Sequence, residues 1–198
     1  GGGRVDLGIL RLADQAWVSD NTEPTARLNI QEGYSQVFPA CTMEAWVTDM
    51  GSEYLPLEFR MHVSMCGALG IGGHLVNWGA ERRAEAAKWI ARYKEIRPVV
   101  QFGDLYRLRS PQQDPFSALM YVSKDRKEAV LFAFRTHQPF IPQLEPQAPV
   151  YPRGLDPQAN YAVEGYEEVR SGLGWMRTGI ELFLEDYQST ILHIQQVE

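Results

Sequence analysis

The stretch "AWVSDNTEPTARLNIQEG", residues 16–33, holds the end of a strand and the start of a helix. Ala16, Trp17 and Val18 form a short apolar burst, read as a buried strand, that stops at Ser19-Asp20. Pro24 then suits a first helical turn. Ala26, Leu28, Ile30 and Val37 supply apolar surface to a helix over residues 23–37. Glu23 and Arg27 stand i,i+4, a spacing that supports a helix by side-chain attraction. Between strand and helix lies Ser19-Asp20-Asn21-Thr22, a run of residues whose side-chain oxygens can accept the free backbone N–H groups of a helix start. Asp20 therefore has two readings. It is one of several caps, or, since Asn21 and Thr22 can cap without it, it is a carboxylate at the carboxyl end of a strand, where barrel enzymes keep their catalytic groups.

The same pattern recurs downstream. "MEAWVTD" (43–49) reads as a second short strand ending in Asp, and "LEFRMHVSMCGAL" (57–69) as a buried helix. "GIGGHLVNW" (70–78) is expected to hold a third strand. Residues 80–97 form the clearest helix, with Ala86, Trp89, Ile90, Tyr93 and Ile96 on one stripe. Strand alternating with helix implies βα units around a parallel sheet. Beyond Pro98 the pattern changes. "VVQFGDLYRL" (99–108), "ALMYVS", "EAVLFAFR", "NYAVEGYE", "GIELFLED" and "STILHIQQV" read as short strands. "ALMYVS" and "EAVLFAFR" flank Lys-Asp-Arg-Lys as a hairpin, and the proline-rich segment 138–154 reads as an extended crossing. Three βα units cannot close a barrel, which takes eight strands and about 250 residues. The expected fold is therefore α/β: residues 1–98 as the last strands and helices of a (β/α)8 TIM barrel, then residues 99–198 as an antiparallel β-sandwich domain.

Composition narrows the partners. The 198 residues are 44% hydrophobic with a net charge of −6. That acidic balance, without Lys/Arg clusters, argues against nucleic acid and anionic membranes. No apolar run reaches the roughly 18 residues of a transmembrane helix. Two cysteines, Cys41 and Cys66, make no disulfide framework, which points to a reducing, cytoplasmic setting. The chain opens on Gly-Gly-Gly-Arg without an initiator methionine or a signal peptide, and reads as a tag scar or as the cut end of something longer.

Several other groups are candidates for chemistry. Gly1-Gly2-Gly3 and "GIGG" (70–73) bare their backbone, but neither has the order of a phosphate-binding fingerprint. Tight turns, or a ligand held close to bare backbone, explain them. His62 and Cys66 stand i,i+4 with His74 following, yet the short ligand spacings of a zinc site are absent, so no metal is expected. Glu44 and Asp49 flank the second strand, as a second carboxylate or as a solvated face and a turn. Trp17, Trp46 and Trp78 each fall on or after a predicted strand, where aromatics either pack in a core or stack on the apolar face of a sugar.

"GGGRVDLGIL", "WVSDNTE", "RLNIQEGYSQVFP", "RMHVSMCGALGIGG", "RYKEIRPVVQFGDLYRL", "GLDPQANY" and "RTGIELFL", in this order and spacing, resemble the α-galactosidases of glycoside hydrolase family 36. The likeness runs over essentially the whole chain. It implies a (β/α)8 barrel with a C-terminal antiparallel β-domain, and retaining hydrolysis of terminal α-linked galactose in melibiose- or raffinose-type sugars, with no cofactor. Asp20 matches the family's general acid/base in its W-x-S-D motif, Gly1 and Gly2 match the glycine run that approaches the bound sugar, and Trp17, beside Asp20, is the aromatic candidate for substrate binding. Two departures stand out near these residues: Asn21 replaces the Asp that many members carry there, and the Cys that usually precedes the glycine run is missing. The family's nucleophile, an Asp in an upstream Lys-x-Asp motif, has no counterpart here, although a retaining glycosidase needs two carboxyl groups about 5–5.5 Å apart. The resemblance thus implies a C-terminal fragment that supplies the acid/base, is inactive alone, and comes from a homo-oligomeric parent. The alternatives are a carbohydrate-binding or assembly module, and a related α-galactosyl transferase or α-N-acetylgalactosaminidase.

Overall fold

The first strand, β1, is as short as its sequence allows, Ala16–Trp17. In this computed structural model residues 7–49, 54–137 and 147–198 are described. They fall into two units, Gly1–Gln101 and Phe102–Glu198.

In the first unit β1 leads into α1 (Pro24–Ser35), followed by β2 (Met43–Val47), α2 (Leu57–Met65), β3 (Ala68–Ile71) and α3 (Ala80–Phe102). The three strands are parallel in the order β1-β2-β3. Parallel neighbours need a crossover, and the helices supply it. Met43, Ala45 and Val47 of β2 are buried, together with most of α2, including Phe59, Met61, Val63 and Met65. Three parallel strands with helical crossovers are the arrangement expected of the end of a (β/α)8 barrel.

Four local expectations are corrected. The third strand is Ala68–Ile71, and residues 75–77 make a 3-10 turn, so Trp78 follows a turn instead of a strand. The run from Met65 to Ile71 is almost unbroken in its apolarity, and periodicity cannot mark where helix gives way to strand in such a run. The last helix does not stop before Pro98 but continues to Phe102. Pro98 and Lys94, whose carbonyl loses its partner, both lie on the exposed side, where water can replace the missing N–H. The face of α1 is not the expected one: Pro24, Arg27, Leu28 and Gln31 are buried, whereas Val37 is exposed. Trp17, expected inside a buried strand, is 43% exposed.

The second unit contains β4 (Asp104–Arg109), β5 (Phe116–Val122), β6 (Glu128–Arg135), β7 (Asn160–Val163), β8 (Val169–Ser171), α4 (Gly172–Thr178) and β9 (Ser189–Val197). They form one antiparallel sheet in the order β4-β5-β6-β9-β7-β8. The β5–β6 hairpin follows the sequence pattern, and Arg126 takes the positive φ of 61° that its turn requires. One face, through Met120, Leu131 and Leu192, packs on Val150, Leu155, Trp175, Ile180 and Leu184. Tyr121, Phe132 and Phe134, which alternate with that set, are buried as well. "GIELFLED" keeps its alternation at Ile180 and Leu184 but pairs only through an isolated bridge, Val150 with Ile180. Of the crossing segment, residues 138–146 lie outside the described residues. Helix α4 was not expected; its signals are the Ser171 cap, which accepts from Gly174 N at 3.1 Å, and Gly179 at its end with φ 75°.

Candidate active site

Because β1, β2 and β3 are parallel, the segments that follow them open on one side of the sheet: Ser19-Asp20, Thr48-Asp49 and Gly72-Gly73. This is the side where barrel folds assemble their chemistry.

At the start of α1 the capping role falls to a residue other than Asp20. The cap is Glu23, whose carboxylate accepts from Thr25 N at 3.1 Å, Ala26 N at 2.7 Å and Thr25 Oγ1 at 2.6 Å. Tyr54 Oη donates to the same carboxylate at 3.0 Å. Burial pushes the Glu23 pKa up, but the hydrogen bonds from Thr25, Ala26 and Tyr54 outweigh it and hold it below the usual carboxylate value. Asn21 Oδ1 accepts from Glu23 N at 2.9 Å, and Ser19 Oγ from Asn21 N at 3.1 Å. The polar run is thus satisfied without Asp20, which is exposed and takes no hydrogen bond from the described residues. Glu23 and Arg27 do not pair as their spacing implied, because each is engaged elsewhere.

Arg27 is 2% exposed and bridges the end of β1 to β2. Its guanidinium donates to Ser19 O at 3.2 Å and to Glu44 O at 3.1 Å. Thr22 Oγ1 and Thr48 Oγ1 are 2.8 Å apart, and Arg60 donates to Thr48 O. The peptide that precedes Asp20 is therefore fixed from α1, and the end of β2 is tied to α2.

Trp17 and Trp46 form a tilted pair with ring centroids 4.8 Å apart. Trp46 is seated on the backbone of "GIGG": a Cβ on Gly72 would stand 2.7 Å from its ring. The bare backbone there serves the chain's own side chains. Asp49 accepts from His74 N, Trp78 Nε1 and Arg82, so the third tryptophan is a buried anchor instead of a sugar wall. Asp20 and Trp17 are adjacent to one strand end, whereas Gly1 and Gly2 lie outside the described residues.

His62 and Cys66 are core residues. Both lie inside the unit, with the His62 ring edge-on to Trp89 at 4.4 Å and Cys66 Sγ donating to His62 O at 3.5 Å. Cys41 and Cys66 are free thiols, and burial pushes the Cys66 thiol well up. Among the described residues no group of His, Cys, Asp and Glu is arranged to hold a metal. Burial, then the charges of Lys88 and Arg92, lower the His62 pKa to about 3. An unfolded histidine titrates near ~6.5, so between that pH and the folded value the unfolded chain binds one more proton. Stability therefore falls as pH drops through this window, by up to about 1.4 kcal/mol per pH unit. His62→Phe is expected to remove close to one proton from the slope of unfolding free energy against pH between about 6 and 4. Denaturant unfolding at several pH values measures it, and an unchanged slope would show that His62 is not the group responsible.

The buried latches Arg27 and Arg60 and the capping role of Glu23 were not read from the sequence. A charged residue on a helix stripe, such as Arg27 one place before Leu28, was the available signal. No helix of the described residues is long and apolar enough to cross a membrane.

Comparison with known proteins agrees with this geometry. Residues 1–103 match the family described as Melibiase, and residues 116–194 match the Glycosyl hydrolase family 36 C-terminal domain. The probable alpha-galactosidase C of Aspergillus terreus is 35% identical over 204 residues, 100% of this chain and 26% of the relative. Alpha-galactosidase AgaA of Geobacillus stearothermophilus is 38% identical over 172 residues, 83% of this chain and 23% of the relative. The crystal structure of AgaA superposes with a TM-score of 0.91 at 34% identity, covering 100% of this chain and 28% of that one. The chain thus spans about a quarter of the length of the curated relatives it matches. With a parallel βα unit, an antiparallel β-domain and matches over both, it belongs to glycoside hydrolase family 36, the family of these α-galactosidases.

Proposed function

We propose that this chain carries the acid/base half of a retaining α-galactosidase. Asp20 protonates the leaving oxygen while a carboxylate from outside these 198 residues attacks the anomeric carbon. It then takes a proton from the water that releases galactose. Trp17 lies against the apolar face of the sugar, and Gly1 and Gly2 let the backbone approach it. The substrates are melibiose- and raffinose-type sugars, and the isolated chain is inactive. The observation that carries this reading is the Asp20 carboxylate, exposed at the carboxyl end of β1 with its capping role filled by Glu23. AgaA variants have been solved in complex with raffinose and with stachyose, which supports the substrate class.

The test follows the first galactose released by the full-length enzyme by proton NMR, with melibiose, raffinose and an α-N-acetylgalactosaminide as substrates. Release from the first two, with α-galactose appearing before mutarotation, is the expected result. A β-anomer first would overturn the retaining mechanism. Galactose binding without hydrolysis would favour a binding module, and preference for the acetamido sugar an α-N-acetylgalactosaminidase.

A further inference from the structure

Asp49 follows β2 on the same side of the sheet on which Asp20 follows β1, yet its carboxylate is committed within the fold. Oδ2 accepts from His74 N at 2.7 Å. Oδ1 accepts from Trp78 Nε1 at 2.8 Å and from the Arg82 guanidinium at 2.9 Å. Arg82 lies 4.2 Å over the Trp78 ring, and Trp78 is 3% exposed. A Cβ on Gly73 would stand 2.7 Å from Asp49 Oδ2, so a larger residue there would push the carboxylate from its present place. Gly72 N donates to Val47 O at 2.8 Å. These contacts grip the connection from β3 to α3 at both ends, Gly72–His74 and Trp78. Of the residues between them, Leu75 and Val76 are 47% and 88% exposed.

Two strand spacings, about 10 Å, separate β1 from β3. That is about the span of a disaccharide. A substrate whose galactose sits at Asp20 and whose remainder runs across the strand ends would reach this loop. We infer that Asp49 is a positioning residue: it holds the Gly72–Trp78 loop as a fixed wall for the part of the substrate beyond the galactose, and takes no part in bond breaking. The inference rests on the reading of Asp20 as acid/base. Asp49 contrasts with Asp20 in the needed way. Both of its oxygens already accept hydrogen bonds, one of them from a guanidinium, and attack or proton transfer would have to break them first.

The test uses the full-length enzyme with Asp49→Asn and Gly73→Ala, which disturb the same contact from its two sides. Both are expected to raise KM for raffinose about tenfold while kcat on an aryl α-galactoside stays within about twofold. The pH–rate profile keeps its shape, and the double variant is no worse than the poorer single one. Amide exchange across residues 72–79, read by mass spectrometry, is expected to speed up about tenfold in each. A loss of about 1,000-fold in kcat for Asp49→Asn, recovered by azide, would make Asp49 catalytic and overturn the inference. Unchanged loop exchange would overturn it, and so would faster exchange with an unchanged raffinose KM. If Asp49→Asn does not fold, Arg82→Met removes only the outer donor. It is expected to shift both readings in the same sense by less, and no shift in either overturns the proposal. If the enzyme hydrolysed no α-galactoside at all, the substrate-wall role would fall with the function, while faster loop exchange would still uphold Asp49 as the holder of the loop.

Discussion

Asp20→Asn is expected to lower kcat of the full-length enzyme on melibiose by about 1,000-fold, since general acid/base groups contribute roughly 100- to 10,000-fold. The size of the loss depends on the leaving group, and that dependence identifies the role. A sugar alkoxide cannot depart without a proton, so cleavage of melibiose suffers at the first step. A nitrophenolate departs unaided, so kcat/KM for nitrophenyl α-galactoside is expected to fall no more than about tenfold. Its kcat falls further, because release of the covalent galactosyl-enzyme still needs Asp20 to take a proton from water. Azide needs no base. It should restore turnover and leave α-galactosyl azide, since it displaces the enzyme carboxylate with inversion at the anomeric carbon. The local structure makes the substitution clean: Glu23 and Asn21 hold the start of α1, and no described residue donates to Asp20, so unfolding midpoints should not move. Equal loss on both substrates with galactose still bound would count against the acid role, and full activity on both would end it.

Arg27→Met should have the larger effect on stability. Arg27 is 2% exposed, and its guanidinium donates to the carbonyls of Ser19 and Glu44. Burial lowers its pKa and the Glu44 charge raises it, the signature of a cation held inside by design of its surroundings. Methionine fills much of the same volume but takes a donor from each of two part-buried carbonyls, each loss costing about 1–3 kcal/mol. Release of the guanidinium from its desolvated site offsets part of this, so the net loss is expected at about 2–4 kcal/mol by denaturant unfolding. Activity should fall as well. Ser19 O belongs to the peptide bonded to Asp20, and a misplacement of about 1 Å in a catalytic group can cost roughly 100-fold. Measured well below the unfolding transition, kcat is expected to drop about 100-fold. A loss of stability with unchanged kcat would show that Arg27 braces the fold without placing Asp20.

Much of this protein follows from local pattern. The bursts "AWV" and "MEAWVTD", each ending in Asp, the stripe from Ala86 to Ile96, and the hairpin across Lys124–Lys127 placed a parallel βα unit before an antiparallel one. Period-two and period-3.6 alternation report which side of an element meets a core, and that information is carried by neighbours in sequence. The W-x-S-D order placed Asp20 directly after a strand, with its identity as a candidate independent of any contact. The strand expected over "GIELFLED" has its Ile180 and Leu184 buried but no ladder around them, because pairing requires a second strand that the segment itself does not encode.

What the tertiary structure alone decided are the partners. Glu23 became the cap, and its hydrogen bond from Tyr54 spans 31 residues. Arg27 turned from a helix-surface pair to strand carbonyls as far as 17 residues away. Asp49 reached Arg82 across 33 residues, so its carboxylate meets the segment that follows β3. β9 came to lie between β6 and β7. Sequence determines the class of each element because propensity and periodicity act within a few residues. The duty of each buried polar group is set by which distant donor or acceptor the fold brings within hydrogen-bond reach, since a buried group without one costs more than most single contacts supply.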